Sequence, residues 1–283
     1  MKRRGFIGLL LGFFLLPLRG LAEAICNPHL ARLLGRERDL VQIRAGGKGP
    51  TSRYFVQWFG HSSFLIHSAN EVRIVTDPNF NVTPGIEADA VTVSNDHYTH
   101  NNIGAVGGDP LILRGITLEQ TWNPISTRVK DILIVNLPSQ RGFEWGEVAN
   151  SIFVYEMGSL CIAHLGNIGH LLTPEQQRLM RKVDVMMMPI DARLNLDFAD
   201  LVRVIEQVKP PVVIPMHYDD IVQAEIFTEF IGTRYPVRAL QDSQLHLSRA
   251  TLPQSTEILV LAHPNPVYPF SDPWSSPDMG TES

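Results

Sequence analysis

Cysteine is scarce in this chain: Cys26 and Cys161 are the only two among 283 residues. Their spacing defines no disulfide framework of the kind that staples small scaffolds. Cys161 sits inside an apolar stretch and is expected as a buried thiol. Long apolar runs are missing beyond Leu18, and nothing later approaches the roughly 20 consecutive apolar residues needed to cross a bilayer. The mature chain therefore should hold no transmembrane segment. An excess of positive charge is missing too: 24 Lys and Arg stand against 29 Asp and Glu, for a formal charge of -5. That balance gives no sign of a nucleic-acid-binding surface. Ten histidines are present, yet none occurs between Asn101 and Ala163. There is no internal repeat. The 44% hydrophobic content suits one sizeable globular domain.

The amino terminus reads as an export signal. Met1-Lys2-Arg3-Arg4-Gly5-Phe6-Ile7 leads into an apolar run to Leu18, and Ala22-Glu23-Ala24 is a small-x-small cleavage pattern. The Arg3-Arg4 pair followed by Phe6 and Ile7 favours the twin-arginine route, with an ordinary secretory signal as the alternative. Either route predicts a periplasmic protein. Ile25 before Cys26 opposes a lipid anchor. The expected organisation is a signal over 1–24, a domain over 25–263, and a Pro- and Ser-rich tail over 264–283 that is extended or disordered.

Along the domain, Asn27-Pro28 opens a short helix to Leu34, and 36–52 reads as loop. Strand signals follow at 54–59, 62–67 and 72–76, with turns at Gly60-His61 and Ala69-Asn70. A buried strand over 88–93 delivers the chain into Ser94-Asn95-Asp96-His97-Tyr98-Thr99-His100. Strands are expected over 131–136, 151–156 and 160–164. Thr173-Pro174-Glu175-Gln176 has the spacing of a capping box and predicts a helix to about Lys182. A strand over 184–189, a helix over 198–208 capped by Asp197, and a strand over 212–216 complete an alternating α/β series. Met186, Met187 and Met188 belong to core strand, because adjacent side chains alternate faces and cannot converge on one ion.

The segment from Val93 to His100 resembles the Thr/Ser-His-x-His-x-Asp-His loop of the metallo-β-lactamase superfamily. Three more segments are similar in the same order. Trp58-Phe59-Gly60-His61-Ser62-Ser63-Phe64 with Thr76-Asp77-Pro78 looks like the opening hairpin. His164-Leu165-Gly166-Asn167-Ile168-Gly169-His170 looks like the His-Leu-Gly-Asp-x-Gly-His segment, and Pro215-Met216-His217 looks like the strand end bearing the last ligand. The match covers most of the mature chain and is closest to the branch that includes ascorbate-phosphate lactonase-like proteins. It implies an α/β fold, a four-layer αββα sandwich with the pocket at one sheet edge.

Of seven metal-ligand positions that the resemblance implies, His97, His100 and His217 are intact. The others carry Asn95, Thr99, Asn167 and, where a further His would fall, Arg141. No carboxylate survives among them, so a dinuclear site loses the anionic ligands that offset repulsion between its ions. A single zinc or other divalent ion on His97, His100 and His217 remains open, although the family divides these three between two metals. An inward Arg141 would oppose a dication.

Two functions stay in view. One is an exported hydrolase with an at most mononuclear site, acting on an ester, lactone or phosphoester, with Asn95 and Arg141 stabilising developing negative charge. The other is a metal-free, non-catalytic descendant that binds a small anionic ligand or a protein partner, since lost carboxylates and a gained Arg141 favour anions. A purely structural role is a third reading. His61, Asp77, Asp96, Thr99, His164, Asn167, His170 and Asp191 are expected to support the pocket. His61 would stand behind it, Asp77 would accept loop hydrogen bonds, and Asp191 would line it or pair with Arg193.

Overall fold

The computed structural model describes residues 54–82, 85–141, 148–192 and 195–264. The signal, Cys26, the helix at 27–34, Arg193 and the tail beyond Pro264 lie outside the described residues.

The chain opens with an antiparallel meander, β1 (Tyr54–Trp58), β2 (Phe64–His67) and β3 (Arg73–Thr76). It continues through β4 (Ile86–Glu87), β5 (Ala90–Val93), β6 (Val106–Gly107) and β7 (Leu111–Arg114), with β5 parallel to both β3 and β7. A second group follows: β8 (Ser126–Val129), β9 (Ile132–Arg141), β10 (Val148–Met157) and β11 (Leu160–His164), all antiparallel neighbours. Then come α1 (Pro174–Met180), β12 (Val185–Pro189), α2 (Phe198–Val208), β13 (Val212–Met216), α3 (Ile221–Ile231), β14 (Val237–Ala239), β15 (Gln244–Leu247) and β16 (Glu257–Val260).

Two sheets result, ordered β15-β1-β2-β3-β5-β7 and β14-β16-β13-β12-β11-β10-β9-β8, with β4-β6 as a small separate pair. β15 crosses back to pair with β1, tying a late strand to the first one described. Every residue of β11, β12 and β13 is buried, as expected of parallel strands covered on both faces. The methionine triplet lies in β12, wholly within the core.

Burial along the first sheet follows the two-residue period of a strand. Val56, Trp58, Phe64, Ile66, Ile74 and Ala90 join the main core with the second sheet and the helices. Leu65, Val75, Val91 and Val93 face the other way, into a smaller cluster closed by Val82, Ile86, Ile103 and Val106. Among the described residues, the outer layer on this side is therefore built by the β4-β6 pair and a 3-10 turn at Ile103–Ala105, while all α-helices serve the second sheet's half of the chain. The two sheets are also stitched by a buried hydrogen bond between Thr92 Oγ1 and Tyr155 Oη, 2.6 Å.

The helix ends follow local rules. Thr173 and Gln176 complete the reciprocal capping box at α1, and Asp197 accepts from the Asp200 amide at α2. Cys161 corrects the expectation of a free thiol: it is 1% exposed and disulfide-bonded.

Candidate metal centre

The carboxyl ends of β3, β5, β11, β12 and β13 meet at one edge, where the chain must turn sharply. Asp77 follows β3, the Ser94–His100 loop follows β5, Asp191 follows β12 and His217 follows β13. His61 occupies the β1-β2 turn. Three of these residues hold left-handed backbone: His61 (φ 51), Asp77 (φ 37) and His217 (φ 63). Such conformations cost of order 1–3 kcal/mol each for non-glycine residues and gather where function over-determines the backbone. The His61 carbonyl accepts from the Trp58 indole N–H at 3.0 Å and from the His217 amide at 2.8 Å, which locks the turn against the end of β13.

His61, His100 and His217 converge. One ring nitrogen from each lies within 4.8 Å of the others. Each ring has a carboxylate behind Nδ1. His100 Nδ1 donates to Asp77 Oδ2 at 2.7 Å, His217 Nδ1 lies 2.9 Å from Asp191 Oδ2, and His61 Nδ1 lies 3.4 Å from Asp219 Oδ1. The Asp191 carboxylate at that distance favours the ring proton of His217 on Nδ1 rather than Nε2. This back-side pairing orients an imidazole and keeps its other nitrogen bare, the arrangement found behind metal-ligating histidines.

The bare nitrogens face one another. His100 Nε2 and His217 Nε2 are 3.2 Å apart, and His61 Nε2 is buried without a partner. Two lone pairs at that distance repel unless a proton or a cation lies between them. Burial, reinforced by neighbouring imidazoles and outweighing Asp77, pushes His100 down to about 3. Burial and His61 also lower His217, against Asp191 and Asp219. A second proton on either ring is thus unfavourable near neutrality, and with the single ring protons held on Nδ1 by Asp77 and Asp191 the two Nε2 atoms present lone pairs. Two imidazoles on one tetrahedral zinc, each at about 2.0–2.1 Å, place their nitrogens roughly 3.3 Å apart. The donor set fits a single divalent cation.

This corrects the expected triad. His100 and His217 stand together, but the third ring is His61 rather than His97. His97 is exposed, its Nδ1 lies 2.8 Å from Thr99 Oγ1, and its ring packs 4.4 Å from Tyr98 and 6.3 Å from His100. Thr99, in the position of a lost carboxylate, thus orients His97.

The remaining residues fall into two groups. Asp77, His164 and His170 are supports. Asp77 accepts from the Ser94 amide at 2.7 Å and the Ser94 hydroxyl at 2.6 Å; burial would raise its carboxyl, but His100, His164 and these hydrogen bonds hold it below the ordinary range. His164 donates from Nε2 to the Ser62 carbonyl at 2.8 Å and accepts at Nδ1 from the Gly166 amide, so it has no nitrogen to spare. His170 lies 3.0 Å from Ser139 Oγ and 2.9 Å from the Leu171 carbonyl. Asp191 also accepts from Asn195 at 2.9 Å.

Asn95, Asp96, His97, Arg141 and Asn167 line a neighbouring cavity of about 210 Å³, together with Gln120 and Ala149. Asp96 is paired with Arg114 at 3.1 Å and held by Asn101 at 2.6 Å, away from the imidazole cluster. Burial lowers Arg141, and Asp191 counters it. Sequence reasoning missed Asp219 and Gln120 entirely. The carboxylate two residues after His217 was the available signal for Asp219.

A model of the beta-lactamase superfamily domain matches residues 55–217, more than half of the chain. Among curated relatives, a UPF0173 metal-dependent hydrolase of Methanosarcina mazei is 22% identical over 58% of this chain and 83% of its own length. One from Thermoplasma acidophilum is 27% identical over 62% of this chain and 90% of its own. Among solved structures, a candidate Zn-dependent hydrolase of the metallo-β-lactamase superfamily from Thermotoga maritima superposes with a TM-score of 0.56 at 24% identity. That match covers 74% of this chain and 98% of the other.

Proposed function

We propose, starting from the fact that this chain belongs to the beta-lactamase superfamily, that it is a hydrolase with a single divalent metal held by His61, His100 and His217. The observation that carries this reading is the pair of bare Nε2 atoms 3.2 Å apart, beside the unpartnered Nε2 of His61. A metal bound there would supply Lewis acidity and activate the attacking water. The chain's own groups do the rest. Asp77, Asp191 and Asp219 fix the three rings. Arg141 and Asn95 line the adjoining cavity, placed to stabilise negative charge on a reacting ester, lactone or phosphoester.

The test is hydrolysis of a panel of such substrates by zinc- or manganese-loaded protein. Activity should fall to background in His61→Ala and in chelated wild type. Activity that survives both would remove the reading. A metal-free anion binder is the second reading, favoured by the Arg141 cavity and opposed by the facing lone pairs. It predicts full ligand binding and no retained metal.

An export signal at residues 1–24 and the disulfide at Cys161 both support a periplasmic location, since disulfides persist in oxidising compartments.

A further inference from the structure

The cavity next to the imidazole cluster has a composition of its own. Its one cationic side chain is Arg141, at the end of β9, only partly solvated and within the field of Asp191, where a guanidinium acts more strongly than in open water. Its one carboxylate, Asp96, is already matched by Arg114. Thr99 engages His97 Nδ1 with its hydroxyl at 2.8 Å and its amide at 3.5 Å, which leaves Nε2 as the ring's remaining polar atom. Asn167 is 1% exposed and its Oδ1 has no partner, an acceptor left unsatisfied in this wall.

We infer that this cavity is an oxyanion subsite: it seats a phosphoryl group of the substrate against Arg141 and His97, with Asn167 Oδ1 accepting from the group's own hydroxyl. A singly protonated phosphoryl group carries both the anionic oxygens and the O–H that these walls call for. At about 210 Å³ the space is below the roughly 300–1,000 Å³ of a drug-sized pocket, so it holds a small head group and leaves the rest of the substrate outside. The His97 ring lies 6.3 Å from that of His100, which puts the seated group beside the imidazole cluster. The catalytic use of the subsite rests on the metal reading above, whereas its anion binding does not.

The experiment is calorimetric titration of the chelated mature protein with inorganic phosphate, so that no ion contributes, with metal content measured on parallel loaded samples. Arg141→Gln should raise the phosphate Kd by at least about tenfold, the scale of one lost charge-assisted hydrogen bond. Sulfate, which has no hydroxyl at neutral pH, should bind several-fold more weakly than phosphate. Gln120 is exposed on the cavity rim, so Gln120→Glu should weaken and Gln120→Lys should strengthen phosphate binding at low salt without touching the fold. That pair carries the test if Arg141→Gln does not fold. Phosphate affinity unchanged across these variants, with about one metal still retained, would overturn the subsite and leave the metal centre standing. Affinity that falls in Arg141→Gln while no sample retains metal would support the subsite and remove the metal centre. Equal affinity for sulfate would overturn the role of Asn167.

Discussion

Asp219 stands 3.4 Å from His61 Nδ1, and that contact helps hold its carboxyl below the ordinary range despite burial. Removing a carboxylate of this kind typically costs 10–100-fold in metal affinity. Asp219→Asn should therefore lower zinc affinity by about that factor in a competition titration. His97→Ala should change it by less than about threefold, because His97 lies outside the cluster; a loss comparable to that of His61→Ala would restore the triad expected from sequence. The residues His100 and His217 were legible because their neighbours match a known loop and strand end. His61 was legible only as a support. Its role as third donor depends on Asp219 and on the β1-β2 turn closing against β13, long-range contacts that no local spacing encodes.

At the scale of elements, the capped helices and apolar strands were readable because the signal is local. Asp197 and the Thr173-Gln176 box set two helix starts, and β11, β12 and β13 are continuous apolar runs. Edge elements were not readable. β8 is Ser126-Thr127-Arg128-Val129, a short polar strand with no apolar face. α3 exposes Val222, Ile226 and Phe230 while burying Ala224, Phe227 and Ile231, so apolar residues surround it and blur the helical period. β9 extends past the expected 131–136 to Arg141, and that extension carries Arg141 to the cavity. The turn after β11 gives this scale its prediction. Gly166 has φ +56, and a Cβ there would lie within 2.4 Å of Asn150 Oδ1 and 2.8 Å of the Ser94 side chain. Gly166→Ala should lose about 1–3 kcal/mol from backbone strain alone, read by urea unfolding, and more as Ser94 is pushed from Asp77. An unchanged midpoint would mean that this turn does not brace the loop.

For the whole molecule, a metal that binds only the folded chain adds stability by mass action, about 2.7 kcal/mol at 100 times its Kd. Chelation should lower the melting temperature without unfolding the protein, since the apolar core shared by the two sheets and the helices does not include the three imidazoles. His217→Ala should melt at the same temperature with and without chelator; a persisting difference would place the stabilising ion elsewhere. Export is tested separately: Arg3→Lys with Arg4→Lys should retain the precursor in the cytoplasm if the twin-arginine route carries it, and normal periplasmic accumulation would assign the ordinary secretory route.

The account turns on how many ions the wild-type protein holds. Metal analysis of purified, zinc-loaded and buffer-exchanged protein should find about one equivalent per chain. Two tightly held equivalents, or less than about a tenth of one, would contradict it.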